Sequence, residues 1–124
     1  MMSADTNVCR IHLNDYYKDI PLGKKRIRGR FAIPSGVRCA SPSVIEKYFA
    51  VDSVGIITTK SVSAKPKVGY REPIYVRYGD NSYINAVGLE NPGAEVFREQ
   101  LSKIVIPENK FLLVSLCGED AEQF

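Results

Sequence analysis

The sequence predicts an α/β chain built around a parallel sheet, and three observations carry that expectation. Three short apolar runs, Arg30 to Ile33, Gly55 to Thr59 and Phe111 to Leu116, lack strict alternation, the pattern of strands covered on both faces. A helix start signal separates successive runs, Ser41-Pro42 after the first and Asn91-Pro92 after the second. The 124 residues, 44% apolar and 25% charged, suffice for one modest core.

Residues 1–29 read as an extension with a hairpin, because Val8 to Leu13 alternates apolar and polar residues and Ile20 to Ile27 holds a Pro21-Leu22-Gly23 turn. The first buried strand, within Arg30 to Ile33, ends at Pro34, Ser35 and Gly36. Ser41 can cap and Pro42 suits the first helical position, and Val44, Ile45, Tyr48 and Phe49 then form one apolar stripe. Gly55 to Thr59, β-branched apart from the glycine, makes the second strand, with Lys60 and Ser61 at its end. A long polar connection, Val62 to Glu90, is broken only by a candidate strand at Ile74 to Tyr78, and connections of that length often carry function. Asn91-Pro92 opens a second helix whose face is Ala94, Phe97, Leu101 and Ile104. Phe111 to Leu116 is the third strand, closed by Cys117-Gly118, and Glu119, Asp120 and Glu122 form the acidic first turn of a third helix. Residues 30–124 thus hold three strands and two to three helices. A closed (β/α)8 TIM barrel needs ~250 residues, so the expectation is the amino-terminal third to half of one, incomplete as it stands.

Several function classes lose support on composition alone. Cys9, Cys39 and Cys117 are odd in number and widely spaced, which fits reduced thiols rather than a disulfide framework, a zinc site or a redox pair. Cys117 reads as a buried or structural thiol. The lone His12 has no catalytic or metal constellation beside it, so no metal site is expected. Net charge is +3, and the basic cluster Lys24 to Arg30 lacks interleaved aromatics, which favours a solvated hairpin over a nucleic-acid site. No apolar run approaches the ~18 residues of a spanning helix. Met1 to Arg10 lacks the apolar centre of a secretory signal, so a cytoplasmic location is the default expectation.

Three stretches, Ile33-Pro34-Ser35-Gly36, Thr59-Lys60-Ser61 and Ile84-Asn85-Ala86-Val87-Gly88-Leu89-Glu90-Asn91, in that order, resemble the amino-terminal part of the class 1 dihydroorotate dehydrogenases. The resemblance covers roughly Ile20 to Phe124 and implies part of a TIM barrel that holds flavin mononucleotide (FMN) and oxidises dihydroorotate to orotate in pyrimidine synthesis. It implies that Ser35 and Gly36 lie against the flavin through main-chain atoms and that Lys60 and Ser61 contact the flavin, Lys60 also reaching orotate as the catalytic-site cation. Asn85, Val87, Gly88 and Leu89 would hold the pyrimidine through a side-chain amide and main-chain N–H groups. The family's proton-abstracting Cys or Ser follows the fourth strand and its flavin-phosphate site lies near the seventh and eighth, so neither falls within these residues. Pro34, Val87 and Glu90 depart from the residues common in the family.

Those residue types suit that chemistry. A flat anionic ligand stacked on a flavin needs a cation and directed donors in a dry pocket, with a glycine where the backbone approaches closely. Taken singly, each has a plainer reading: Ser35-Gly36 as a turn, Lys60 as a surface lysine lying along apolar surface, Asn85 as a turn former. Two other functions remain open at this point, a non-catalytic half-barrel that binds another chain and a different flavin- or phosphate-binding barrel oxidoreductase. Either way an uncovered parallel edge implies a homo-oligomer or a second chain that completes the barrel.

Overall fold

The computed structural model describes residues 18–124. The expected strand at Val8 to Leu13, Cys9 and His12 lie outside the described residues. A short hairpin comes first, with β1 (Asp19–Leu22) antiparallel to β2 (Lys25–Arg28). Its turn falls at Gly23-Lys24, where Gly23 has φ 58°. Pro21, expected in the turn, is instead inside β1 opposite Arg26, a place proline tolerates because this two-stranded ribbon has free outer edges. The basic cluster forms the solvated outside of this hairpin: Ile27 is buried, Lys24, Lys25, Arg26 and Arg28 are exposed, and Arg28 pairs with Asp19 at 3.6 Å.

The central element is a parallel three-stranded sheet in the order β3 (Phe31–Ile33), β4 (Val54–Thr58), β7 (Phe111–Leu113). A mixed α/β architecture with parallel strands is therefore present, although three strands form no barrel. Of the three runs expected to be buried, only β4 is covered well, with Val54, Gly55 and Ile57 buried. Phe31 and Leu113, on the two outer strands, are half exposed, since each outer strand has a neighbour on one side only. β7 is also shorter than the expected Phe111 to Leu116.

Helix α1 (Pro42–Phe49) starts as expected, with Ser41 at the cap position and Pro42 in the first turn. Ser41 makes no capping bond, and its hydroxyl pairs with that of Ser43 instead. Ile45 and Phe49 of the apolar stripe pack with Cys39, Val54 and Ile57 to form the core, bordered by Ile33, Tyr48, Leu101, Ile104 and Leu112. Helix α2 (Ala94–Leu101) begins later than its Asn91-Pro92 signal. Gly93, at φ 84°, occupies the cap position, and Ile104 packs from beyond the helix end. The expected third helix is a single 3-10 turn, Ala121–Gln123, capped by the Asp120 side chain.

The long connection is more ordered than its polarity suggests. It contains the expected strand as β5 (Tyr75–Tyr78) and an unexpected partner, β6 (Ser82–Asn85), joined through Gly79 in an antiparallel hairpin. All eight strand residues are exposed, and Tyr75 stacks on Tyr83 with ring centroids 5.1 Å apart.

At the opposite, amino-terminal end of the sheet, Lys110 is a buried cation. Its Nζ donates to the carbonyls of Val54 (2.6 Å), Val51 (2.9 Å), Arg28 and Asp52 (both 3.3 Å). Burial pushes its pKa down while the Asp52 charge opposes that shift. Gly55 passes directly over the Gly29 carbonyl at this end, where no side chain fits. Among the described residues no helix is long and apolar enough to cross a membrane.

Candidate functional site

In a parallel sheet the carboxyl ends of all strands lie together, and the chain leaves β3 and β4 on that side. After β3 the chain passes Ser35 and Gly36 into a 3-10 turn, Val37–Cys39, anchored by the buried Cys39. The Cys39 thiol lies 3.7 Å from the Pro34 carbonyl, and burial raises its pKa. From the same residue the carbonyl accepts the Lys60 N–H at 2.9 Å, which fastens the start of the second loop to the end of the first.

The hairpin returns the third segment to the same place. Ala86 N–H donates to the Ile74 carbonyl (2.8 Å) and Tyr70 N–H to the Val87 carbonyl (3.2 Å), so residues 86–89 fold back over the connection. Gly88 has φ 74°, and a Cβ there would come within 2.8 Å of the Tyr70 nitrogen, so glycine is required on both counts. Leu89, at φ 56°, is the one non-glycine residue with positive φ among those described.

These loops enclose an open cleft of about 660 Å³. Its lining includes Ser35, Gly36, Lys60, Asn85, Val87, Gly88 and Leu89, which is all but one of the residues singled out in the sequence. Ser61, the exception, stands behind the wall, where its hydroxyl meets that of Ser35 at 3.2 Å and that of Ser115 at 2.9 Å. A chain of three hydroxyls thus crosses the ends of the three parallel strands. Cys117 lies off the cleft, its N–H bonded to the Val62 carbonyl.

The cleft also has members the sequence did not single out. Val37, Tyr70, Tyr75 and Ala86 complete the lining. The signal available was the density of tyrosines at 70, 75, 78 and 83, but only the hairpin pairing shows which of them face the cleft. Asn91 was read as a helix cap, yet its amide holds the loop beside the cleft: Nδ2 donates to the Leu89 carbonyl (2.7 Å) and Ser63 Oγ (3.0 Å), and Oδ1 accepts from the N–H groups of Gly93 (3.0 Å) and Ser63 (3.2 Å).

Chemically, the cleft offers one ammonium, one side-chain amide, hydroxyls and two aromatic rings, a set suited to a planar anion with hydrogen-bonding edges. Gly36 lines it with no protein atom within 4 Å of where a Cβ would stand, so the space above that backbone is free for a flat group. No group of three or more metal-ligating side chains occurs among the described residues.

The family model for dihydroorotate dehydrogenase matches residues 22–123, nearly the whole described chain. The chain belongs to the dihydroorotate dehydrogenase family. Among its relatives is the protein named dihydroorotate dehydrogenase B (NAD(+)), catalytic subunit, of Methanothermobacter thermautotrophicus, 32% identical over 120 residues, covering 97% of this chain and 34% of the relative. Proteins of the same name from Thermoplasma acidophilum (43% over 68 residues, 55% of this chain and 22% of the relative) and Methanocaldococcus jannaschii (31% over 96 residues, 74% and 30%) are similar as well. The chain spans about a third of the length of the curated relatives it matches.

Proposed function

We propose that this chain supplies the first part of the flavin and substrate site of an FMN-dependent enzyme that oxidises dihydroorotate to orotate in pyrimidine synthesis. The observation that carries this reading is convergence: three segments separated by some fifty residues of sequence, around Ser35, Lys60 and Asn85, line one cleft at the carboxyl ends of the strands. In this reading residues 1–29 are an extension and hairpin, and residues 30–124 form the first three strands of a (β/α)8 barrel. The remaining strands come from further chain or from a second subunit, against the open edges of β3 and β7.

The residues fit the flavin. Gly36 and Ser35 offer a bare stretch of backbone for its flat ring, and Lys60 places an ammonium where an electron-rich oxygen or a carboxylate would sit. Bound FMN would supply the two-electron redox chemistry. The chain's own part is binding and orientation. Asn85 holds the polar edge of the pyrimidine, Val87 to Leu89 present backbone to it, and Lys60 neutralises the carboxylate in a site that a completed barrel would keep dry.

The test is to purify the full-length protein, load it with FMN, and follow bleaching of the flavin absorbance on addition of dihydroorotate. Bleaching that is lost in Lys60→Ala supports the reading. A protein that takes up no FMN, or one whose flavin ignores dihydroorotate, overturns it.

A further inference from the structure

The pairing of β4 with β7 contains an irregularity at the site. The regular ladder ends at Thr58 opposite Leu113 and resumes at Val62 opposite Leu116. Four steps on one strand are therefore matched by three on the other, and the β4 side carries one residue too many. The hydrogen bonds agree. Thr59 N–H donates to the Leu113 carbonyl (2.9 Å), as an unbroken ladder requires, but it is Val62 N–H, not that of Ser61, that reaches the Ser115 carbonyl (3.0 Å). Lys60 and Ser61 occupy the resulting bulge, and bulges of this kind re-aim side chains beside active sites.

A bulge leaves the ladder short of partners, and here one side chain makes good the loss. Ser115 N–H, which a regular parallel ladder would direct to the Thr59 carbonyl, donates to the Thr59 hydroxyl at 3.1 Å. The same hydroxyl donates to the Lys60 carbonyl, also at 3.1 Å. Thr59 is 0% exposed and does not line the cleft. Both acts of its hydroxyl concern the bulge: one ties it to β7, the other fixes the peptide that follows Lys60.

We infer that Thr59 is a positioning residue whose buried hydroxyl stitches this bulge and so sets the aim of Lys60 and the place of Ser61. The inference rests on the proposed ligand site for its consequence, while the stitch itself stands on geometry alone. Removing the hydroxyl in Thr59→Val keeps the shape and leaves the Ser115 N–H without its acceptor; Thr59→Ser keeps the hydroxyl.

The experiment compares the full-length protein with Thr59→Val, Thr59→Ser and Lys60→Ala, using FMN as the probe. Two quantities are read: the FMN dissociation constant from fluorescence quenching, and backbone hydrogen exchange over residues 58–63 and 113–117. Thr59→Val is expected to weaken FMN about tenfold, the order set by one unsatisfied buried donor. It should speed exchange in those two segments while α1 and α2 exchange as before, and Thr59→Ser should stay within about twofold of the parent. Unchanged exchange in Thr59→Val overturns the stitch. Faster exchange with FMN held as tightly as by the parent, when Lys60→Ala has lost it, overturns the positioning role and leaves the site reading intact. FMN bound normally by Lys60→Ala overturns the site reading instead. If Thr59→Val does not fold, the Ser115 amide of the parent decides, because an amide that exchanges as freely as an open loop refutes the bond to Thr59.

Discussion

Asn91 offers a test of how the loop beside the cleft is held. Its side chain is 7% exposed, and the four positions an amide can use are all filled: two N–H groups on Leu89 O and Ser63 Oγ, two lone pairs on Ser63 N–H and Gly93 N–H. Ser63 has one hydroxyl proton, and its 2.8 Å approach to the Lys65 carbonyl takes it, so the 3.2 Å approach of Ser63 Oγ to Asn91 Oδ1 is not a fifth bond. Asn91→Ala strips partners from two backbone N–H groups and one carbonyl. At ~1 kcal/mol for each lost bond, the change should cost about 3–4 kcal/mol, a large part of the ~5–15 kcal/mol that holds a domain. Asn91→Asp keeps both accepting contacts but loses both donors and sets a charge against the Leu89 carbonyl, so it should cost nearly as much. Urea denaturation of the full-length protein measures both, and hydrogen exchange at Ser63 and Gly93 localises the loss. A cost below about 1 kcal/mol for Asn91→Ala would refute the claim that this amide holds the loop.

Other outcomes follow from the same geometry. Lys60→Ala should leave the midpoint of denaturation within a few degrees of the parent while lowering FMN or orotate affinity by about tenfold or more, as titration would show. Asn85→Ala should weaken orotate by about 1–3 kcal/mol with flavin absorbance retained; flavin loss with orotate binding preserved would reverse the roles assigned to that loop. Gly55→Ala should prevent soluble folding, because its Cβ would press into the Gly29 carbonyl, and recovery of a soluble, cooperatively unfolding variant would contradict the close approach. Burial holds the Cys39 thiol above its ordinary pKa of 9.0, so the folded state keeps a proton that the unfolded state releases. Its contribution is complete below pH 9 and is lost as pH rises through the raised value, and Cys39→Ala should flatten that alkaline limb of stability against pH.

The parts of the fold legible in the sequence are those decided locally. Ser41-Pro42 and the stripe ending at Phe49 locate α1 within a residue, and the β-branched run locates β4, because cap chemistry and apolar period act within a few residues. β6 was not legible: Ser82 to Asn85 is fully exposed and takes its strand character from pairing with β5, which no local pattern states. Asn91 misled for a similar reason. Asn before Pro is a capping signal, but at this position its side chain is committed to Ser63, 28 residues earlier, and the positive φ of Gly93 postpones the helix. The candidate site was legible through three short stretches of sequence, and what they could not contain was Tyr70, Tyr75 and the bulge at Lys60, each of which depends on a partner strand.

The two ends of the sheet are built on opposite terms. At the amino end, Lys110 binds four carbonyls from two loops and a strand, and Gly29 and Gly55 allow backbone to touch backbone, an arrangement with no room for a ligand. At the carboxyl end the ladder is interrupted, two consecutive residues take positive φ, and hydroxyls and one amide replace main-chain bonding. A regular ladder would turn successive side chains to alternate faces and leave Lys60 governed by strand period. The bulge removes it from that period, and Thr59 and Cys39 then fix it from either side. Rigidity at the first end permits irregularity at the second, and irregularity is what allows one cation to be aimed into a cleft rather than along a strand.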